Sequence, residues 1–164
     1  MNHGPPQKSE AIFKLLDQVK DPEIPVLSIV ELEIIREVLP KADKILVRMT
    51  PTYSGCPAIE VMQAEVRECL EKAGFKTVEI ELIYSPAWSS QWLGEEARSK
   101  LKQYGIAPPN TQSTLVGIGA SKVTLCPYCD SKKTEIRSEY GSTSCKALHY
   151  CLDCQEPFEE FKSI

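Results

Sequence analysis

Two Cys-x-x-Cys pairs, Cys126/Cys129 and Cys151/Cys154, limit what this chain can fold into more than any other feature. Each pair can present two sulfurs from one tight turn, so the two together can surround a single ion with four thiolates. A tetrahedral set of that kind suits Zn²⁺, or an iron centre if iron is delivered. The stretch between the pairs, Asp130 to Tyr150, has 21 residues, slightly more than the roughly 15–20 usual for this spacing. Isolated pairs are common and doubled ones are not, so the spacing predicts a bound metal rather than free or disulfide-bonded cysteines.

Composition bounds the remainder. At 164 residues, 42% hydrophobic and 26% charged, the chain is globular and has room for one domain of about 100–120 residues and a smaller module. The opening MNHGPPQKSE is polar and lacks the apolar core of a secretory signal. Seven cysteines in pairs and singles then predict cytoplasmic metal chemistry, not a disulfide scaffold. No apolar run approaches the ~18 residues of a membrane span, so no membrane partner is expected. A net charge of −4 and a pI of 5.3 weigh against a nucleic-acid surface.

Ser9 is the expected cap of a first helix carrying Ile12, Leu15, Leu16 and Val19 on one face. The prolines of Asp21-Pro22-Glu23-Ile24-Pro25 must end it. Ser28-Ile-Val-Glu31 is a capping-box pattern and predicts a single helical turn. A hairpin follows, from about Ile34 to Leu39, through a turn at Pro40–Asp43, and back along Ile45, Val47 and Met49. Pro57 at the first position of a second helix puts Cys56 at or next to its N-cap. That helix carries Ile59, Met62, Val66, Leu70 and Ala73 inward and stops at Gly74. Val78, Ile80 and Leu82 form a third strand. A third helix, capped by Ser89 or Ser90, turns Trp92, Leu93, Ala97, Leu101 and Tyr104 inward and ends at Gly105.

The expected fold class is therefore α+β: a small three-stranded sheet packed with three helices over residues 8–107. A Pro-, Gly- and Ser-containing linker spans 108–120, and a small all-β module with the layout of a zinc ribbon covers 121–164. Val123–Leu125 and Thr134–Arg137 flank the first cysteine pair; Leu148–Tyr150 and Phe158–Phe161 flank the second. A module this small needs its ion to stay folded.

Several residues outside the four cysteines are open to two readings. A thiol at a helix start is favoured as thiolate by unpaired amides and the helix dipole, which makes Cys56 a reactive group; it is equally a small buried residue that begins a helix. On the first reading it is partly accessible, next to Asp21–Pro25, and labels faster than Cys69, which falls on the core side of its helix. Asp21 and Glu23 are either a metal-binding or acid/base pair or turn residues. Tyr84, Trp88 and Trp92 line a surface or close a core. Cys145 and His149 replace a ligand, orient one, touch a partner's metal, or simply lie near a site that four sulfurs already close.

From Cys126 onward five basic residues face seven acidic ones, a poor balance for binding phosphate. There is no Gly-rich phosphate loop, nucleophile elbow or Glu-x-x-His, and His3 and His149 are the only histidines. The residues thus read as a metal-containing binding or assembly protein, not as a self-contained enzyme.

Asp21-Pro-Glu-Ile-Pro25, Thr50-Pro-Thr52 and Gly55-Cys-Pro57 resemble the small domain of the iron–sulfur assembly and carrier family. That resemblance implies a role in cluster maturation, with Cys56 as a contact for iron or a cluster. Ser85-Pro-Ala-Trp88, Glu95-Glu96, Tyr104–Pro109, Cys126-Pro-x-Cys129 and Gly141–Leu148 are similar to the D subunits of phenylacetate-CoA oxygenase (phenylacetyl-CoA epoxidase) systems. The similarity runs from about Leu16 to Lys162. It implies an accessory subunit for phenylacetate degradation whose partners are the di-iron oxygenase or reductase chains. Such a subunit helps assemble or insert their metal centres. It also raises the functional weight of Cys145. Asp21, Glu23, Cys56 and Cys145 are therefore the candidate contacts for iron or a transient cluster, and Cys126, Cys129, Cys151 and Cys154 the structural zinc ligands. The alternative is a purely structural zinc-ribbon adaptor subunit.

Overall fold

Two prolines around a carboxylate turn the chain out of its first helix, and the local bonds show how. In the computed structural model, which describes residues 6–110 and 123–164, helix α1 spans Pro6–Leu16. It begins ahead of the expected cap at Ser9, because proline at a helix start sacrifices no needed amide. Asp21 Oδ1 then accepts the amides of Glu23 (2.7 Å) and Ile24 (2.8 Å), which fixes the Asp21–Pro25 turn. The capping box closes reciprocally, Ser28 N–H on Glu31 Oε2 at 2.9 Å and Glu31 N–H on Ser28 Oγ at 3.0 Å. A single helical turn follows and ends where Glu33 takes φ +55°.

Strands β1 (Ile35–Lys41) and β2 (Lys44–Met49) form the predicted hairpin, with Ala42 at φ +51° in the turn. Helix α2 (Ala58–Lys72) carries the chain to β3 (Thr77–Leu82), which pairs parallel to β2 and leaves β2 central. Alternation along β2 buries Ile45, Val47 and Met49, and α2 buries Ile59, Met62, Val66 and Leu70. Ala73, expected inward, is the exposed C-cap, and Gly74 (φ +100°) stops the helix. Trp88 is core, its indole N–H donating to Leu32 O at 2.8 Å, whereas Tyr84 lies exposed.

The chain divides into two compact units, Met1–Trp88 and Ser89–Ile164, so the division falls earlier than the expected boundary at residue 107. The physical reason is the segment after α3 (Glu95–Gln103). Strand β4 (Ile106–Ala107) pairs parallel to β7 (Pro157–Phe161), and the second sheet runs β4-β7-β6-β5, with β5 at Thr134–Ser138 and β6 at Lys146–Cys151. Most of the expected linker (111–120) and the expected ribbon start at 121 lie outside the described residues. Val123–Leu125 form no strand. The third helix is also shorter than expected. Ser89 caps only a 3-10 turn, Ser90–Trp92, and Gly94 is the N-cap of α3. Tyr104, expected inward, is exposed at its C-cap.

Arg98 holds this rearranged segment together. Only 9% exposed, its guanidinium donates to the carbonyls of Leu93 (3.0 Å), Ser90 (3.0 Å) and Pro109 (2.6 Å). Arg98→Met would keep the stem but strand those carbonyls. We expect a loss of about 3 kcal/mol in the stability of the second unit, read by denaturant unfolding of the metal-loaded chain, with the first unit unchanged.

Candidate metal centre

The two cysteine pairs sit in turns of matching construction. Cys126 N–H donates to Ser131 O and Cys151 N–H to Glu156 O, both at 3.0 Å and both spanning the same number of residues. In each turn the residue after the second cysteine, Asp130 or Gln155, lies in the left-handed region at φ +58° or +61°. Neither is glycine, so each turn holds a backbone conformation that costs about 1 kcal/mol for an ordinary residue. This placement was missed in the sequence, because the usual marker for it is glycine.

These turns bring all four Sγ atoms within 4.8 Å of one another. Cys126–Cys154 and Cys129–Cys151 each lie 3.6 Å apart. A tetrahedron with thiolate–zinc bonds near 2.3 Å has edges of about 3.8 Å, so the four sulfurs already fit a tetrahedral dication. Cys126 and Cys151 are fully buried beside Ala107 and Phe158, while Cys129 is exposed and Cys154 half-buried. Among the described residues this is the only group of three or more such ligand atoms brought together.

Charge explains why the group needs a cation. The amides of Cys154 and then Asp153 draw the Cys151 thiol down to about 6. The Glu156 amide pulls Cys154 the same way, but desolvation and the thiols of Cys151, Cys129 and Cys126 push it up to about 12. At Cys129 the Ser131 amide is likewise outweighed by desolvation and neighbouring thiols, and the group ends raised. Near neutral pH the metal-free group therefore holds protons at Cys129 and Cys154, while Cys151 is the thiol drawn toward the thiolate. Metal must displace those protons, so affinity rises with pH. With at least two protons released, apparent affinity should change about a hundredfold per pH unit between 7 and 8, and more steeply below 6, where Cys151 also protonates. Competition titration with a chromophoric chelator across this range checks the slope.

Cys145 stands apart from the group. It precedes β6 and Cys151 ends it, a separation of six residues, or about 20 Å along an extended strand. Its Sγ is buried 3.0 Å from Thr143 Oγ1. His149 also takes no place among the four sulfurs. Its Nε2 lies 2.9 Å from Glu160 Oε2 and its ring stacks on Phe158 at 5.4 Å.

In the first unit, Pro57, expected as the first residue of α2, is its N-cap, and Cys56 directly precedes it, next to the cap as expected. Its accessibility differs from expectation. Cys56 is 7% exposed, and Cys69, expected in the core, is the more open of the two, its Sγ 3.6 Å from Leu15 O. Burial pushes the Cys56 thiol above its ordinary value. The Ala58 amide and the Tyr53 hydroxyl oppose the rise, and the negative charges of Glu23 and Asp21 add to it. Desolvation outweighs the helix end. In the folded chain at neutral pH, alkylation followed by peptide mapping should therefore modify Cys69 several-fold sooner than Cys56. Asp21 is buried and engaged by its turn amides, and it does not form a three-ligand group with Glu23 and Cys56.

Known proteins share this arrangement. The PaaD zinc beta ribbon domain family matches residues 110–162, and the iron-sulfur cluster assembly protein family matches residues 9–82. A protein of Escherichia coli (strain K12), provisionally named as the D subunit of 1,2-phenylacetyl-CoA epoxidase, is 44% identical over 98% of this chain and 96% of its own length. The chain belongs to the phenylacetyl-CoA epoxidase D-subunit family. Another relative is an Fe-S protein maturation auxiliary factor of Porphyromonas gingivalis (strain ATCC BAA-308 / W83), 38% identical over 62% of this chain and 97% of its own. The crystal structure of a domain of unknown function, DUF59, from Bacillus anthracis shares the fold, with a TM-score of 0.53 at 24% identity over 59% of this chain and 97% of that one. This chain thus combines an α+β unit matched by the iron–sulfur assembly family with a ribbon that carries four clustered cysteines. No helix of the described residues is long and apolar enough to cross a membrane.

Proposed function

We propose that this chain is an accessory subunit of a phenylacetyl-CoA epoxidase system that helps assemble or insert iron or iron–sulfur centres in its partner chains. Zinc on Cys126, Cys129, Cys151 and Cys154 is structural in this reading. The observation that carries it is the contrast between the two kinds of thiol site. Four converging sulfurs suit a resident ion, whereas among the described residues of the first unit Cys56, the cysteine of the candidate site, belongs to no group of three or more ligands. A lone thiol suits a metal that is received and passed on. The names of the relatives, one an epoxidase subunit and one a maturation factor, support the same reading.

The first unit's own residues define how Cys56 works. Burial and the Glu23 and Asp21 charges keep its thiol protonated at rest. An approaching iron cation reverses the sign of the carboxylates' effect, since it offsets their charge and favours the thiolate. The proton leaves as the cargo arrives.

A second reading, a structural adaptor with an inert Cys56, draws on the burial of that thiol. Anaerobic reconstitution with iron and sulfide, followed by absorbance and metal analysis of wild type and Cys56→Ser, separates the two. Iron or a cluster taken up by wild type and lost in the variant supports the carrier. Zinc alone in both supports the adaptor.

A further inference from the structure

We infer that Ser131 and Asp153 form a latch between the two cysteine turns and set how slowly the ribbon gives up its metal. The inference rests on the structural-zinc reading proposed above and deepens it. A latched site keeps a resident ion apart from metal in transit.

The two turns lie in separate segments, Cys126–Ser131 and Cys151–Glu156, and Asp153 reaches from the second to the first. Its Oδ2 accepts the Ser131 hydroxyl at 2.6 Å, and its Oδ1 accepts Lys133 Nζ at 3.0 Å. The Ser131 hydroxyl in turn accepts the Lys133 amide at 3.0 Å, which leaves its own proton for Asp153. Beside this link, Leu152 N–H donates to Lys133 O at 2.8 Å and extends the β5–β6 pairing to the base of the turns. Beyond that rung the Asp153 side chain continues the connection.

Both ends of the latch are anchored on metal ligands. Ser131 accepts the Cys126 amide on its carbonyl at 3.0 Å, and its own amide donates to the Cys129 sulfur. The Asp153 amide donates to the Cys151 sulfur. Cys129 and Cys151 are one of the sulfur pairs that face each other across the turns at 3.6 Å. A single side-chain bond thus joins the residues whose amides hold two facing sulfurs, one from each turn.

Burial makes this the side that matters for exchange. Cys126 and Cys151 are fully buried, whereas Cys129 is exposed. An ion leaves past Cys129, and swinging that turn outward must break the bond from Ser131 to Asp153. The ion pair with Lys133 is exposed and adds little. Residues that hold ligands in place typically change metal affinity by 10–100-fold when lost, about tenfold at the low end.

Transfer of zinc from the loaded full chain to excess chromophoric chelator reads the release rate. Asp153→Ala and Ser131→Ala should each speed release about tenfold. The double variant should be no faster than Ser131→Ala, because both changes remove one shared bond. Asp153→Asn, which keeps an acceptor for Ser131, should restore most of the wild-type rate. Lys102→Ala removes a contact of Asp130 that does not join the turns, and should change the rate less than about twofold. Hydrogen-exchange protection of β6 and β7 in the loaded variants should match wild type. Unchanged release, or effects of the two alanines that multiply, would overturn the latch and leave the zinc site standing. Faster release with lost β6 and β7 protection would also overturn it, as general destabilisation. A chain that takes up no zinc would overturn the structural-zinc reading and the latch together.

Discussion

Serine in place of Cys151 is expected to release the metal and unfold the second unit while Met1–Trp88 keeps its structure. Cys151 is the ligand with the strongest commitment to the thiolate, drawn down to about 6, and it is fully buried at the end of the central strand β6. A serine hydroxyl stays protonated there and is a poor zinc ligand. Structural zinc contributes roughly 10–16 kcal/mol shared over four ligands, so one lost thiolate costs about 3 kcal/mol and on the order of a hundredfold in affinity. The replaced side chain also leaves a polar group in the core made with Ala107, Cys126 and Phe158. A unit whose small core is built around two of its metal ligands has no reserve against both losses. Zinc content should fall well below one per chain, with loss of exchange protection confined to the second unit. A variant that retains zinc and protection would remove the metal from its structural role.

The second large effect concerns function with little change in fold. Epoxidase activity in cells carrying Cys56→Ser should fall several-fold, although the variant folds and its zinc remains. Cys56 belongs to the unit without the four-cysteine group, so zinc binding is not at stake. Burying a hydroxyl where a thiol stood costs about 1 kcal/mol, and Cys56→Ala provides a control that avoids even that. The same loss in both variants points to the thiol's chemistry. Loss in Cys56→Ser alone would trace instead to destabilisation.

How legible the chain was depended on how local each signal is. The capping box at Ser28 and Glu31, the proline at the start of α2, the hairpin and the stop at Gly74 are written within a few residues, and each stands where the sequence put it. The four cysteines were legible for the same reason, since two short spacings fix two turns. What the sequence hid was long-range. The pairing of Ile106–Ala107 with Glu159–Glu160 joins segments some fifty residues apart, and nothing in a two-residue strand announces it. It moves α3 from the first unit to the second and shifts the boundary to Trp88. The accessibilities of Cys56 and Cys69 came out reversed because helix phase names the face and not how closely neighbours cover it. At Cys56, desolvation by the surrounding loop outweighs the helix end that made the thiol look reactive. Cys145 looked near the metal in sequence but lies at the far end of β6, because an extended strand separates what a turn would bring together.

Delivery of iron to other chains would show first in the composition of those chains. The partner oxygenase and reductase chains, purified anaerobically from cells carrying wild type or Cys56→Ser, would be assayed for iron and acid-labile sulfide per chain. Delivery through Cys56 predicts substoichiometric iron or sulfide in at least one client from the variant cells, with that client's fold unaltered. Full cofactor content alongside lost activity would contradict delivery and assign Cys56 to the working complex instead.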